Sequence, residues 1–231
     1  MDNILYDLKK ILDENFTVSI QDNNASINKL QNRISIIAEV EKNIKNDTII
    51  IIKEIVHDLE SGIYSATNAL YRNAFVCLRS GIELSLAYIY FVDHNYDYLF
   101  WQKDEFELTW SAIKDENSGI LRHKYLSLFV EDDFSVLIHN YIRLYHECSQ
   151  SVHGKYAYMF STQLTNLRYS EEIFNNFIKT EEEVINLIIS ILIIRHNDVY
   201  MIIDESYLSE VDDILKSQRL HGLIKKLKGD R

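Results

Sequence analysis

Residues 64–92 read YSATNALYRNAFVCLRSGIELSLAYIYFV, and a helix drawn through them is apolar on nearly every side. Phe75, Leu78, Ile82, Leu86 and Ile89 share one side, while Val76, Leu84, Tyr88 and Phe91 occupy others. A helix of that kind belongs in the middle of a bundle. The composition around it agrees. The 231 residues include no proline and only six glycines, whereas sandwiches, barrels and low-complexity chains need frequent turn residues. With 47% hydrophobic residues the chain can bury a substantial core. The expected fold is all-α: a single-domain helical bundle spanning residues 1–231, with about six to eight helices. Its central bundle covers residues 27–202, and a basic C-terminal helix covers 204–227.

Working outward, apolar periodicity predicts a short helix at 2–13, then a polar break, SIQDNNAS, whose Ser26 is positioned to cap a long helix over 27–60. Asn46-Asp47-Thr48 is a candidate division of that helix, and Ser61-Gly62 a break before 64–92. The aromatic segment 93–104 is expected as a packed loop. Helices are expected at 104–115, 120–130, 134–152, with Asp132 and Asp133 as caps, and 170–202. The last stretch, Lys216 to Arg231, carries six basic residues and one acid, which suits a helix C-terminus or an acidic partner.

Asp and Glu outnumber Lys and Arg by 35 to 24, a formal charge of −11, so the chain repels polyanions unless its cations are gathered locally. Cys77 and Cys148 sit in apolar helical patterns and read as reduced core thiols. The amphipathic N-terminus lacks the pattern of a signal peptide. The apolar runs at 49–52 and 185–194 are shorter than the roughly 20 residues of a membrane span. These features predict a cytoplasmic protein without a membrane partner.

Two helices carry the polar information. Over 134–152, Phe134, Ile138, Tyr141, Tyr145, Cys148 and Val152 form an apolar stripe. Opposite lie His139, Arg143, His146, Gln150 and His153 at spacings of four, three, four and three, a continuous ridge. Imidazole exchanges protons near neutrality and guanidinium grips oxyanions, so the ridge has the equipment for acid–base cleavage of a phosphodiester. The alternative is a solvated polar face. On the 64–92 helix, Arg79 and Glu83 are the only charges between Val76 and Val92, with Arg72 on the same stripe. They either pair to fix helix register or face the ridge and orient His146 or His153.

Glu54-Ile-Val-His57 matches half of a di-iron motif, but no second copy exists. No phosphate loop, serine elbow or Cys/His metal cluster is present, so no cofactor and no metal is expected. The aromatic group Tyr96, Tyr98, Phe100, Trp101, Phe106 and Trp110 is either satellite core, an oligomer interface or a stacking platform for bases.

Two phrases carry a resemblance: Tyr71-Arg-Asn-Ala-Phe-Val-Cys-Leu-Arg-Ser-Gly-Ile-Glu-Leu and Tyr145-His-Glu-Cys-Ser-Gln-Ser-Val-His-Gly. A long apolar helix with an internal Arg-x-x-x-Glu, followed by a helix closing on Ser-x-x-x-His-Gly, resembles the HEPN-like helical proteins of bacterial defence and toxin–antitoxin loci, over about residues 60–160. The resemblance implies a HEPN-like bundle, commonly a homodimer, whose active members are metal-independent ribonucleases with an Arg-x(4–6)-His motif. That spacing is absent: Arg143 precedes His146 by two intervening residues and His153 by nine, and Arg122-His123 and Arg195-His196 are adjacent. The expectation is therefore a regulatory or binding component of a defence-type system, with a protein partner from the same operon. The alternatives are a ribonuclease acting on RNA, with Arg143, His146 and His153 as catalytic residues and Arg79, Glu83, Arg72, His139 and Gln150 binding or orienting, and an acidic inhibitor or immunity-type protein.

Overall fold

A computed structural model describes residues 4–153 and 167–229. It is 77% helical, with no strand among the described residues. In chain order the helices are α1 (Ile4–Asn43), α2 (Ile49–Thr67), α3 (Tyr71–Asp93), α4 (Asn95–Trp101), α5 (Trp110–Ile113), α6 (His123–Leu126), α7 (Ser135–Val152), α8 (Glu171–Arg195), α9 (Glu205–Ser217) and α10 (His221–Gly229). A short 3₁₀ turn, Val199–Met201, follows α8.

The all-round apolar stretch does lie in the middle. α3 packs against α2, α7 and α8, and buries Phe75, Leu78, Ile82, Leu86 and Ile89. By length and composition α3 would also suffice to cross a bilayer, and half of that window is buried inside the bundle. α8 is the second core rod: every residue from Leu187 to Ile194 is buried. The buried side chains form one cluster that runs from Ile27 in α1 to Leu227 in α10.

Several boundaries differ from the sequence reading. The 19–26 segment does not break the chain: α1 continues through it with a kink at Asn23 (φ −128°, ψ 16°), whose side-chain amide donates to Ser19 O and to Tyr169 Oη. Ser61-Gly62 lies inside α2. A Cβ at Gly62 would sit 3.5 Å from Cys77 Cβ and 3.6 Å from Phe177 Cζ, so this glycine sets how closely α2 approaches its neighbours. The real turn is at Asn68–Leu70, where Ala69 adopts φ 61°. The aromatic segment forms α4, and the regions 104–115 and 120–130 are helical only over α5 and α6. The C-terminal helix divides at Gln218–Leu220, with Arg219 at φ 60°.

One buried cation ties the outer helices together. Arg33 of α1, 8% exposed, donates to Glu182 at 2.8 Å, Asn186 at 2.9 Å and Glu210 at 2.5 Å, joining α1, α8 and α9. Its Nε and Nη1 each have an oxygen to bond, and pairing of this kind offsets much of the penalty for burying an arginine.

Candidate functional site

The α3–α7 seam is where the polar residues of the two decisive helices meet. On α3, Arg72, Val76, Arg79 and Glu83 follow one another at helical spacing along the edge facing α7. Arg79 Nη2 donates to Glu83 Oε1 at 3.0 Å and to Tyr145 Oη at 3.5 Å, and its guanidinium lies over the Tyr145 ring, 5.4 Å from the centroid. The Tyr145 ring in turn stacks on Trp110 at 3.7 Å and 7°. Arg72 Nη2 donates to Val152 O at 2.8 Å, so a cation from α3 satisfies a carbonyl of the last turn of α7.

Both sequence readings of the Arg79–Glu83 pair are thus present in part. The two residues bond each other, as a register-fixing pair would, and Arg79 also reaches α7. What it touches there is Tyr145, not an imidazole. His146 meets the same tyrosine from the other direction, its ring 5.8 Å away at 68°.

The ridge on α7 does not act as one surface. His139, His146 and His153 are exposed, Gln150 is half-buried, and their side chains make no hydrogen bond or ion pair with a described residue. Arg143 bends the other way. Its Nη1 donates to both carboxylate oxygens of Glu147 at 3.0 Å, and its Nη2 bonds Glu183 of α8. The guanidinium is therefore held by two carboxylates, on the flank of α7 opposite Tyr145. The core stripe of α7 explains the split. Its buried members are Phe134, Leu137, Tyr141, Leu144, Cys148 and Ser151, a stripe turned slightly from the expected one, so Ile138, Tyr145 and Val152 lie on the α3 flank and Arg143 on the α8 flank.

Arg143, Glu147 and Glu183 edge a cleft of about 310 Å³ between α7 and α8, with Phe75, Ser151 and Thr180 also on its wall. Buried polar atoms with no hydrogen-bond partner among the described residues occur along the seam as well: Arg79 Nε and Ser149 Oγ, the latter one turn along α7 from Tyr145. Among the described residues no group of three or more His, Cys, Asp or Glu is arranged to hold a metal ion.

Two polar features escaped the sequence reading. Glu181 is fully buried among the packed helices with neither carboxylate oxygen bonded to a described residue, and burial pushes its pKa well above the ordinary 4.5. The signal for it was available: Phe174, Phe177, Glu181, Val184 and Ile188 recur at three- and four-residue steps, which is the spacing of a core stripe. The second is a chain of bonds from Asn46 through Tyr88 to His196, with Asn46 Nδ2 3.2 Å and His196 Nε2 2.9 Å from Tyr88 Oη. Nothing in the sequence near Arg195-His196 points to Tyr88, which is more than 100 residues away.

Compared with known proteins, the chain matches no family model, no curated protein and no solved structure.

Proposed function

We propose that this chain is a HEPN-like binding or regulatory protein of a bacterial defence-type system, acting in the cytoplasm as a homodimer with a protein partner encoded beside it. The single observation that carries this reading is the state of the α7 ridge. Its one guanidinium is occupied by Glu147 and Glu183, and its imidazoles are exposed with no hydrogen-bond or ion-pair partner among the described residues. General acid–base chemistry needs a proton-transfer group held in place, and a cation already bonded to two carboxylates has little left for a phosphate. A surface of that kind is suited to recognition. The all-helical bundle and the α3–α7 pairing of the two resemblance phrases support the family part of the proposal. Light scattering on the purified protein is the first test, and it is expected to give a dimer. A strict monomer that also retrieves no partner from its native host overturns the proposal.

A second reading, a metal-independent ribonuclease, is favoured by the seam. There Arg72 sits at the last turn of α7 beside His153, and Arg79 shares Tyr145 with His146. In a dimer, this edge of one copy facing that of the other would gather four guanidiniums. His146 or His153 would take the 2′-hydroxyl proton as that oxygen attacks phosphorus, an arginine would steady the phosphate, and the 5′-oxygen would leave with a proton from the imidazolium or water, giving a 2′,3′-cyclic phosphate and a 5′-hydroxyl. Incubation with tRNA and total RNA in EDTA decides between the two, using His153→Ala and Arg79→Ala beside wild type. Cleavage lost in both variants replaces the binding proposal with the enzyme; no cleavage, or cleavage that survives both, removes the enzyme.

A further inference from the structure

We propose that the aromatic cleft between α3 and the α4–α5 segment is a binding site for a small quaternary ammonium ion of the choline type. The cleft measures about 290 Å³, at the low end of the ~300–1,000 Å³ typical of small-molecule sites. Its wall holds Phe91, Trp101, Phe106 and Trp110, with the carboxylates of Glu83 and Glu107 beside them and no Lys, Arg or His. Aromatic rings present negative π-density to a cation, and alkylated ammonium ions lose little hydration on entering such a wall.

The charge decides what the cleft takes. Glu83 is already bonded to Arg79, whereas Glu107 is exposed and makes no ion pair or hydrogen bond with a described residue. The net charge of the wall is therefore negative, and a neutral apolar ligand would leave it unanswered. An anion would be repelled. The cluster is also fixed in place beforehand: Phe91 and Trp101 lie 5.2 Å apart, Phe91 and Phe106 6.1 Å apart, and Trp110 is clamped on Tyr145. Little side-chain entropy is lost when a ligand enters such a site. The sequence reading offered base stacking for these aromatics; the adjacent carboxylates disfavour a nucleic acid and favour a cation.

The experiment needs no label, because the chain has two tryptophans and both line this cleft. Intrinsic fluorescence is followed while choline chloride is added, with sodium chloride as the ionic-strength control and dimethylbutanol, the neutral carbon isostere, as the charge control. A saturable change with choline is expected, with the isostere and the Glu107→Gln variant each weaker by roughly tenfold. Glu107 is exposed, so that variant is expected to melt with the wild type, and its loss of binding then reports on the site. Equal binding of the isostere, undiminished binding in Glu107→Gln, or no saturable change below about 50 mM overturns the proposal. Neither RNA nor a protein partner enters the readout, so this result and the fate of the functional reading are separable.

Discussion

Glu181 is a buried carboxyl group with no hydrogen-bond partner among the described residues, and its consequences are local and measurable. Burial holds it protonated well above the ordinary 4.5. Its charge-bearing neighbours fare similarly: burial pushes the Cys77 thiol up to about 11, with Asp58 and Glu181 adding to the shift, and burial also raises Asp58. A folded-state pKa above the unfolded one means that the unfolded chain gives up this proton first as pH rises. Stability from this group is whole below about pH 4.5 and declines as pH climbs from there. Glu181→Leu is expected to stabilise the protein by about 1–3 kcal/mol near neutrality and to flatten that decline, checked by urea unfolding at several pH values. His196 has the opposite sign. Tyr88 Oη accepts from Asn46 Nδ2 and shares a hydrogen bond with His196 Nε2, while burial and then the charge of Arg195 lower the imidazole pKa from 6.5 to about 4. The folded state keeps it neutral, so its contribution is present above about pH 6.5 and is lost as pH falls toward 4. An NMR titration is expected to show this histidine still neutral at pH 5, above the value of about 4 to which burial lowers it.

Among the elements, α10 shows most plainly what one-dimensional reading misses. Asp132 and Asp133 were both expected to cap α7. Asp133 does so, its Oδ1 accepting from Ser135 N at 2.9 Å, but Asp132 Oδ2 accepts from Leu223 N at 2.8 Å and caps α10 across the fold. Gly222 makes this possible, because a Cβ there would lie 2.2 Å from Glu131 O. Asp132→Ala is expected to cost about 1 kcal/mol, and Gly222→Ala more, both with early hydrogen exchange in α10 while α3 stays protected. The long rods were legible because a run such as Leu187–Ile194 or Phe75–Ile89 has no other way to hide its surface. The junctions were not. Ser61-Gly62 resembles a turn but serves close packing, whereas the actual turn uses Asn68, Ala69 and Leu70 and carries neither glycine nor proline. The site was half legible for a related reason. Periodicity put Arg79 and Glu83 on one stripe, and the imidazoles on another. It says nothing about Trp110 arriving to stack on Tyr145, or about Glu183 standing where Arg143 can reach it.

For the molecule as a whole, acidity and helicity set the terms on which it meets others. A charge of −11 leaves no general attraction for polyanions, so any contact with RNA must use locally gathered cations, such as those of the α3–α7 seam or the basic C-terminal stretch, and weaken steeply with salt. Removal of the exposed imidazoles is expected to leave the melting temperature unchanged. The Asn68–Leu70 turn has a further consequence, for how the chain assembles. It makes sequence neighbours of α2 and α3, the pair of helices with the most extensive mutual contact in the bundle, so their union closes a three-residue loop for the largest reward. That hairpin is the natural nucleus from which the remaining rods condense. Stopped-flow kinetics should find Leu59→Ala and Leu78→Ala refolding slowly, whereas Leu223→Ala, in the last helix to dock, should refold at the normal rate and merely come apart sooner.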